Sequence, residues 1–259
     1  MKPLVMKKEH NGLTMLKYSK RVFWDNLWND ELIECRGRVV DSEGNVVVNP
    51  FTKVFNYLEN DTKVPLDEVV LAVEKINGFM AALTWHDEAW LVTTTGSFDS
   101  KYVEIAKRYI GDSGLPELNG VTYLFEIVAP EDPHIIPELE GAYLLGYRTA
   151  GSLVYTSYLE KEKKLDSLAR QFGYKRPKYF QATFGEVLEL SKKVRHEGFC
   201  IYGSVNFKLK SPWYLQSKAI ARSNRRLALD EEFSQMLLEM PKVLGEQERL
   251  EFIRNYFKV

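Results

Sequence analysis

Apolar and polar positions divide the chain into short runs of two periods. Alternating or continuous β-prone runs at 13–18, 33–41, 46–48, 69–73, 79–83, 121–128, 142–147 and 205–211 predict strands. The turn residues 42–45 make 33–48 a hairpin, 85–94 reads as a further strand pair turning near Asp87, and 153–158 extends the sheet. Helical spacing at Tyr102, Ile105, Ala106 and Tyr109 predicts a helix over 99–110 that stops at Gly111. A second amphipathic helix covers 160–172 and ends at Gly173. A third opens on a capping box, Thr183-Phe184-Gly185-Glu186, and runs to about Arg195, with Gly198 a candidate C-cap. Phe23, Trp24, Leu27 and Trp28 form an aromatic cluster expected to pack on the main body. Beyond Leu215 three short helical patterns follow: a basic face (Lys218, Arg222, Arg225, Arg226) and apolar faces at Phe233, Met236, Leu237 and Met240 and at Leu250, Phe252, Ile253, Tyr256 and Phe257. The expected fold is α/β in the α+β sense: mixed, largely antiparallel sheets flanked by helices, with a domain over 1–215 and a small helical tail over 216–259.

Composition narrows the class. A 259-residue chain that is 45% hydrophobic can bury a sizeable core, and a net charge of −1 leaves any nucleic-acid contact to a local patch. Cys35 and Cys200 form no Cys-x-x-Cys, which argues against a disulfide scaffold or zinc site and suits a reducing compartment. Residues 1–10 lack a sustained apolar stretch, so no signal peptide is expected, and no run is long enough to span a membrane.

Several charged residues sit where burial makes charge expensive. Lys75 lies between the two apolar runs at 69–73 and 79–83, and an ammonium there calls for an ion pair or for use as a nucleophile. By itself, Lys-x-x-Gly is a weak signal and is more often a solvated hairpin lysine. Gly78 permits close backbone approach to a ligand. Glu126 stands mid-strand and must be paired, or bind something, if both faces are covered. Lys208 and Lys210 share one strand face and want an anion opposite them.

Taken in order, Arg36-Gly37, Lys75-x-x-Gly78, Phe125-Glu126, Glu197-Gly198 and Lys208-x-Lys210 resemble the covalent nucleotidyltransferase superfamily of ATP-dependent ligases and capping enzymes. Glu34-Cys35-Arg36-Gly37, Phe125-Glu126-Ile127-Val128-Ala129-Pro130, Phe207-Lys208-Leu209-Lys210-Ser211-Pro212-Trp213-Tyr214 and Lys53-Val54-Phe55-Asn56 are similar to the bacteriophage-type RNA ligase 1 family. The resemblance implies that Lys75 attacks the α-phosphorus of ATP to give lysyl–AMP, that AMP passes to an RNA 5′-phosphate, and that a 3′-hydroxyl then displaces it. It implies catalytic roles for Lys75, Lys208, Lys210, Glu197 and Glu126. Nucleotide contacts are implied for Glu74 (adenine amine), Ile76, Gly78, Glu126 (ribose), Arg36 and Lys53 (phosphates), Lys208 and Lys210. Glu197 and Glu126 would ligate Mg2+ or Mn2+. The expected partner is RNA with 5′-phosphate and 3′-hydroxyl ends, the expected state a monomer, the expected place the cytoplasm, or a host's if phage-encoded.

The match has departures. Asn77 stands where an acidic residue is common, Thr95 where a relative has lysine, and His134 where one has arginine. The position of the adenine-stacking aromatic aligns with Leu145, with Tyr143 a neighbouring alternative. DNA ligases and capping enzymes append an OB-fold, which the short helical stretch after Leu215 does not resemble. Another nucleotidyltransferase of DNA-joining or capping type, or a non-catalytic nucleotide- or RNA-binding module, remains open on sequence alone.

Overall fold

The structure is a computed structural model. It describes residues 3–134, 136, 138–149, 157–223, 239 and 246–257, with side chains left aside at 220–223, 246, 247, 249, 250 and 257. Expected features at 153–156, Arg222, Arg225, Arg226, Phe233, Met236, Leu237, Met240, Leu250 and Phe257 lie outside the residues or side chains described.

Among the described residues, twelve strands form three four-stranded sheets, and every ladder between these strands is antiparallel. The chain divides into two compact units that alternate in sequence. The first contains Met1–Lys53, Gly78–Asp132 and Leu139–Arg176, and the second Val54–Asn77, Pro133–Glu138 and Pro177–Val259.

The first unit holds two sheets. One is the meander β1 (Val5–His10), β2 (Leu13–Tyr18), β3 (Arg36–Val40) and β4 (Val46–Val48). Two short helices, α1 (Lys20–Trp24) and α2 (Asp30–Glu34), interrupt it between β2 and β3. The second sheet takes the order β7-β6-β8-β9, from β6 (Phe79–His86), β7 (Ala89–Thr94), β8 (Val121–Val128) and β9 (Gly141–Thr149). Helices α3 (Lys101–Ile110) and α4 (Tyr158–Phe172) pack on β9 and complete a core around Leu83, Phe125, Ile127, Leu144 and Leu165. β8 is buried at seven of its eight positions, which explains why its run is largely apolar and forces Glu126 to find partners inside.

The second unit holds the remaining sheet, of order β10-β5-β11-β12. Its strands are β5 (Val69–Glu74), β10 (Tyr179–Thr183), β11 (Gly198–Tyr202) and β12 (Phe207–Lys210). Helix α5 (Phe184–Ser191) opens on Thr183 with both halves of the capping box formed. It covers the sheet through Phe184, Val187 and Leu188, which pack with Val70, Phe199, Phe207 and Leu209. Helix α6 (Pro212–Ser223) packs against α7 (Glu246–Phe257).

Three sequence expectations change. β1, polar from Lys7 to His10, and β10, a five-residue strand, were not expected; both are edge strands of their sheets. The strand expected from residue 33 starts at Arg36, because Asn29 caps α2 by accepting from the Leu32 N–H at 2.8 Å. Gly198 is not a helix cap. It begins β11 at φ +124°, and a Cβ there would lie 2.1 Å from the Leu209 carbonyl oxygen. Backbone strain and collision coincide at the residue after Glu197, so Gly198→Ala is expected to cost about 2–4 kcal/mol. Urea unfolding measures this, and a loss below about 0.5 kcal/mol would contradict it.

Candidate active site

The residues singled out in sequence divide between the units, and each unit assembles its own group. In the second unit the register of the sheet does the positioning. β11 pairs with both β5 and β12, so that Val73, Cys200 and Lys208 lie in one row across it. Gly198 lies opposite Lys210, and its carbonyl accepts from the Lys75 N–H at 2.9 Å. Lys75 is thus tied to the row of Gly198 and Lys210, two rungs from that of Lys208. Phe207 and Leu209 face the core, which leaves Lys208 and Lys210 on the opposite face of β12, both partly buried. The Lys210 ammonium lies 5.4 Å from the centre of the Tyr214 ring.

Glu197 is the fixed point of this group. It is 3% exposed, and its backbone carbonyl accepts from the Ser211 N–H at 2.9 Å. Its Oε2 accepts from the Lys75 ammonium at 3.0 Å and from the Asn77 side-chain amide at 2.6 Å. Asn77 is itself buried and uses both ends of its amide, because its Oδ1 accepts from the Ile136 N–H at 3.2 Å. An ionised carboxylate can accept but cannot donate, so an acid at position 77 could not make both contacts. The asparagine that departs from the family pattern is therefore built into the carboxylate's support. Ile76 is buried, and its carbonyl accepts from the Lys75 ammonium at 3.3 Å. Glu74 ends β5, its N–H held by the Lys178 carbonyl.

In the first unit, Glu126 is 9% exposed, and its Oε1 accepts from the Gly78 N–H at 3.1 Å. A Cβ on Gly78 would lie 2.3 Å from the Ile127 carbonyl oxygen, so only glycine lets this backbone reach the carboxylate. Met80 stands opposite Glu126 across the ladder, and the Arg36 guanidinium rests on its sulfur at 3.5 Å. The approach of β3 is braced by Glu34, which accepts from Arg38 at 2.6 Å and from Arg148 at 3.1 Å. The Lys53 N–H is bound by the Ile33 carbonyl, and its ammonium lies 5.5 Å from the centre of the Trp28 ring. On β9, Leu145 is half-buried. Tyr143 is buried, donates its hydroxyl to the Leu139 carbonyl, and carries the Lys175 ammonium over its ring.

Sequence reasoning passed over Glu138. Its carboxylate accepts from the Asn77 N–H at 3.4 Å, in the same unit as Lys75 and Glu197. Burial pushes its pKa up, against the Asn77 hydrogen bond; the charges of Glu74 and Glu197 push the same way, and Lys75 opposes them. No motif signalled it, because its segment is irregular and its neighbours are remote in sequence. Lys161 was passed over too: burial pushes its pKa down, and its ammonium lies 5.8 Å from the centre of the Phe51 ring. Burial pushes the His196 pKa down, against the charge of Glu74, and its Nδ1 accepts from the Gly198 N–H. A cavity of about 470 Å3 lined by Asp41, Trp85, His86 and Asn119 contains none of the motif residues.

Among the described residues, no three His, Cys, Asp or Glu side chains converge as a metal cage. The donor set fits a divalent cation that arrives with substrate phosphates, since Mg2+ uses one or two carboxylates and completes its shell with phosphate and water. It does not fit an all-protein site. Among the described residues, no helix is long and apolar enough to cross a membrane.

This fold is that of solved nucleic-acid ligases. Two forms of an archaeal ATP-dependent RNA ligase superpose with TM-scores of 0.65 and 0.63 at 14% and 13% identity, covering 99% and 98% of this chain and 73% and 72% of theirs. A putative ATP-dependent DNA ligase from Aquifex aeolicus gives a TM-score of 0.60 at 13% identity, over 98% of this chain and 69% of its own. A family model described as RNA ligase matches residues 34–214, and the chain belongs to that family. No curated protein matches it.

The raised pKa of Glu138 has a consequence for stability. A carboxyl that holds its proton more tightly when folded favours folding at low pH and opposes it once ionised. Glu138→Gln is expected to stabilise the protein near pH 7, and the gain should vanish as pH falls through the ordinary carboxylate range. Denaturant midpoints measured between pH 4 and 8 test this; a gain independent of pH would refute it.

Proposed function

We propose that this chain is an ATP-dependent RNA ligase that works through an enzyme–adenylate on Lys75. The observation that carries the reading is a lysine ion-paired to a buried glutamate and tied to the sheet row that ends in Lys210. Lys75 must release its proton before its nitrogen can attack the α-phosphorus of ATP. As the N–P bond forms, the bond to the pyrophosphate oxygen breaks and pyrophosphate leaves. Lys208 and Lys210 are assigned to the phosphate oxygens, where fixed cations stabilise the charge that builds in the transition state. Arg36 and Lys53 are assigned to phosphates, Glu126 to the ribose, and Glu74, Ile76 and Gly78 to the base-proximal side. Glu197 and Glu126 would hold Mg2+ or Mn2+, which would neutralise phosphate charge. The substrate ends are an RNA 5′-phosphate and 3′-hydroxyl, joined with release of AMP.

Incubation with ATP labelled in the α-phosphate should label the protein, and GTP should not. Lys75→Ala and Lys75→Arg should both abolish the label, the latter because guanidinium stays protonated. Asn77 still donates to Glu197 in Lys75→Ala, so the variant should fold with a loss of about 1–3 kcal/mol. Label retained in Lys75→Ala, or mapped to a Lys161 peptide, would put the nucleophile elsewhere. Joining of 5′-phosphorylated single-stranded RNA, beside the equivalent DNA and a nicked duplex, tests the substrate class.

A further inference from the structure

Lys17 and Arg36 are partners in the antiparallel ladder of β2 and β3. Like charges directly opposite on neighbouring strands repel, which weakens the sheet unless an anion lies against them. Among the described residues, neither has a carboxylate within ion-pair distance. Asp99, three residues beyond Gly96, is already engaged. It accepts from the Lys8 ammonium at 2.6 Å and from the Ser97 hydroxyl at 3.0 Å.

Both cations reach the same edge of the β7-β6-β8-β9 sheet, within the first unit. The Arg36 guanidinium rests on the Met80 sulfur of β6. The Lys17 ammonium lies beside Gly96, just past the end of β7, where a Cβ would come within 3.1 Å of its nitrogen. Gly37 makes the contact that joins the two. At φ +89°, with a Cβ that would lie 2.8 Å from the Thr95 Cα, it lets β3 close on this turn. Met80 and Thr95 each stand one residue beyond the Ala81–Thr94 pair, so the three contacts fall side by side. On the other flank of Met80 is Glu126, its partner across the β6–β8 ladder. The order along this edge is therefore Glu126 on β8, Arg36 over β6 and Lys17 at the end of β7. From β8 to β7 is two strand spacings, about 10 Å.

We propose that Lys17 is a further residue of the nucleotide site, binding the terminal phosphate of ATP beside Arg36. A ribose on Glu126 and a phosphate on Arg36 give the nucleotide a direction along this edge, and the next phosphates then run toward Lys17. The polyphosphate supplies the anion that two opposed cations require. Lys17 is exposed, so its ammonium can turn to meet phosphate oxygens as a point charge with three donors. The inference rests on the ATP-dependent ligase reading and adds to it a residue that no motif marks.

The test uses the full chain with Mg2+ and compares α,β-methylene-ATP, which cannot transfer its adenylate, with AMP. Lys17→Ala should weaken the analogue by about 5- to 50-fold, a charge-assisted hydrogen bond discounted for exposure, and leave AMP affinity unchanged. Lys17→Arg keeps the charge and should retain most of the analogue's affinity. An unchanged melting curve confirms that the variants are folded. Unaltered affinity in Lys17→Ala, equal losses for the analogue and AMP, or a loss in Lys17→Arg as large as in Lys17→Ala would overturn the proposal. So would slower joining of pre-adenylylated RNA by Lys17→Ala with analogue affinity intact, since the phosphate would then be the RNA's. Labelling of the unsubstituted chain by α-labelled ATP is scored separately. A preference for the analogue over AMP that depends on Lys17, without label, would defeat the ligase reading and leave the phosphate site standing. Label without that dependence would do the reverse.

Discussion

A buried carboxylate needs compensation, and Glu197 receives it from two donors on one short segment. Moving an ionised carboxylate out of water costs several kcal/mol unless charge and hydrogen bonds replace the lost solvent. Lys75 supplies the charge and Asn77 a neutral donor, so the segment between β5 and β6 is held at both ends of a two-residue step. The backbone repeats the tie, since the Lys75 N–H binds the Gly198 carbonyl and the Ser211 N–H binds that of Glu197. The lysine is therefore located by main chain and side chain together.

That arrangement explains why glycine follows the glutamate. β11 must begin immediately at Gly198 to put its carbonyl under Lys75, and its strand partner leaves no room for a Cβ. Gly78 shows the same logic in the first unit, where the backbone reaches the Glu126 carboxylate. In both places a short motif couples a carboxylate to a close backbone approach.

The group around Lys75 is preorganised with its charges in place. Asn77 holds one oxygen of Glu197 by a neutral hydrogen bond that persists when the lysine gives up its proton. The carboxylate thus keeps a partner through the adenylylation step proposed for Lys75. Glu138 adds a second carboxyl against the Asn77 N–H, and its burial links the protonation of this neighbourhood to pH.

Sequence determined most of the strands, the capped helix at Thr183 and the identity of the motif residues. Their signals are local: largely apolar, β-prone runs at β5 and β8, a Thr-x-x-Glu box, and charges placed where burial makes charge costly. It did not reveal β1, which is polar from Lys7 to His10, or β10, an edge strand of only five residues. Nor did it reveal Glu138, which reaches Asn77 across 61 positions of chain. The exposure of Trp24 reversed the expectation from composition, because an aromatic cluster reads alike whether its rings face a core or water. Pairing across strands and the burial of single side chains depend on residues distant in sequence. Only the tertiary structure could decide that Lys75 meets Glu197, that Asn77 supports the same carboxylate, and that Lys17 is paired with Arg36 in the ladder.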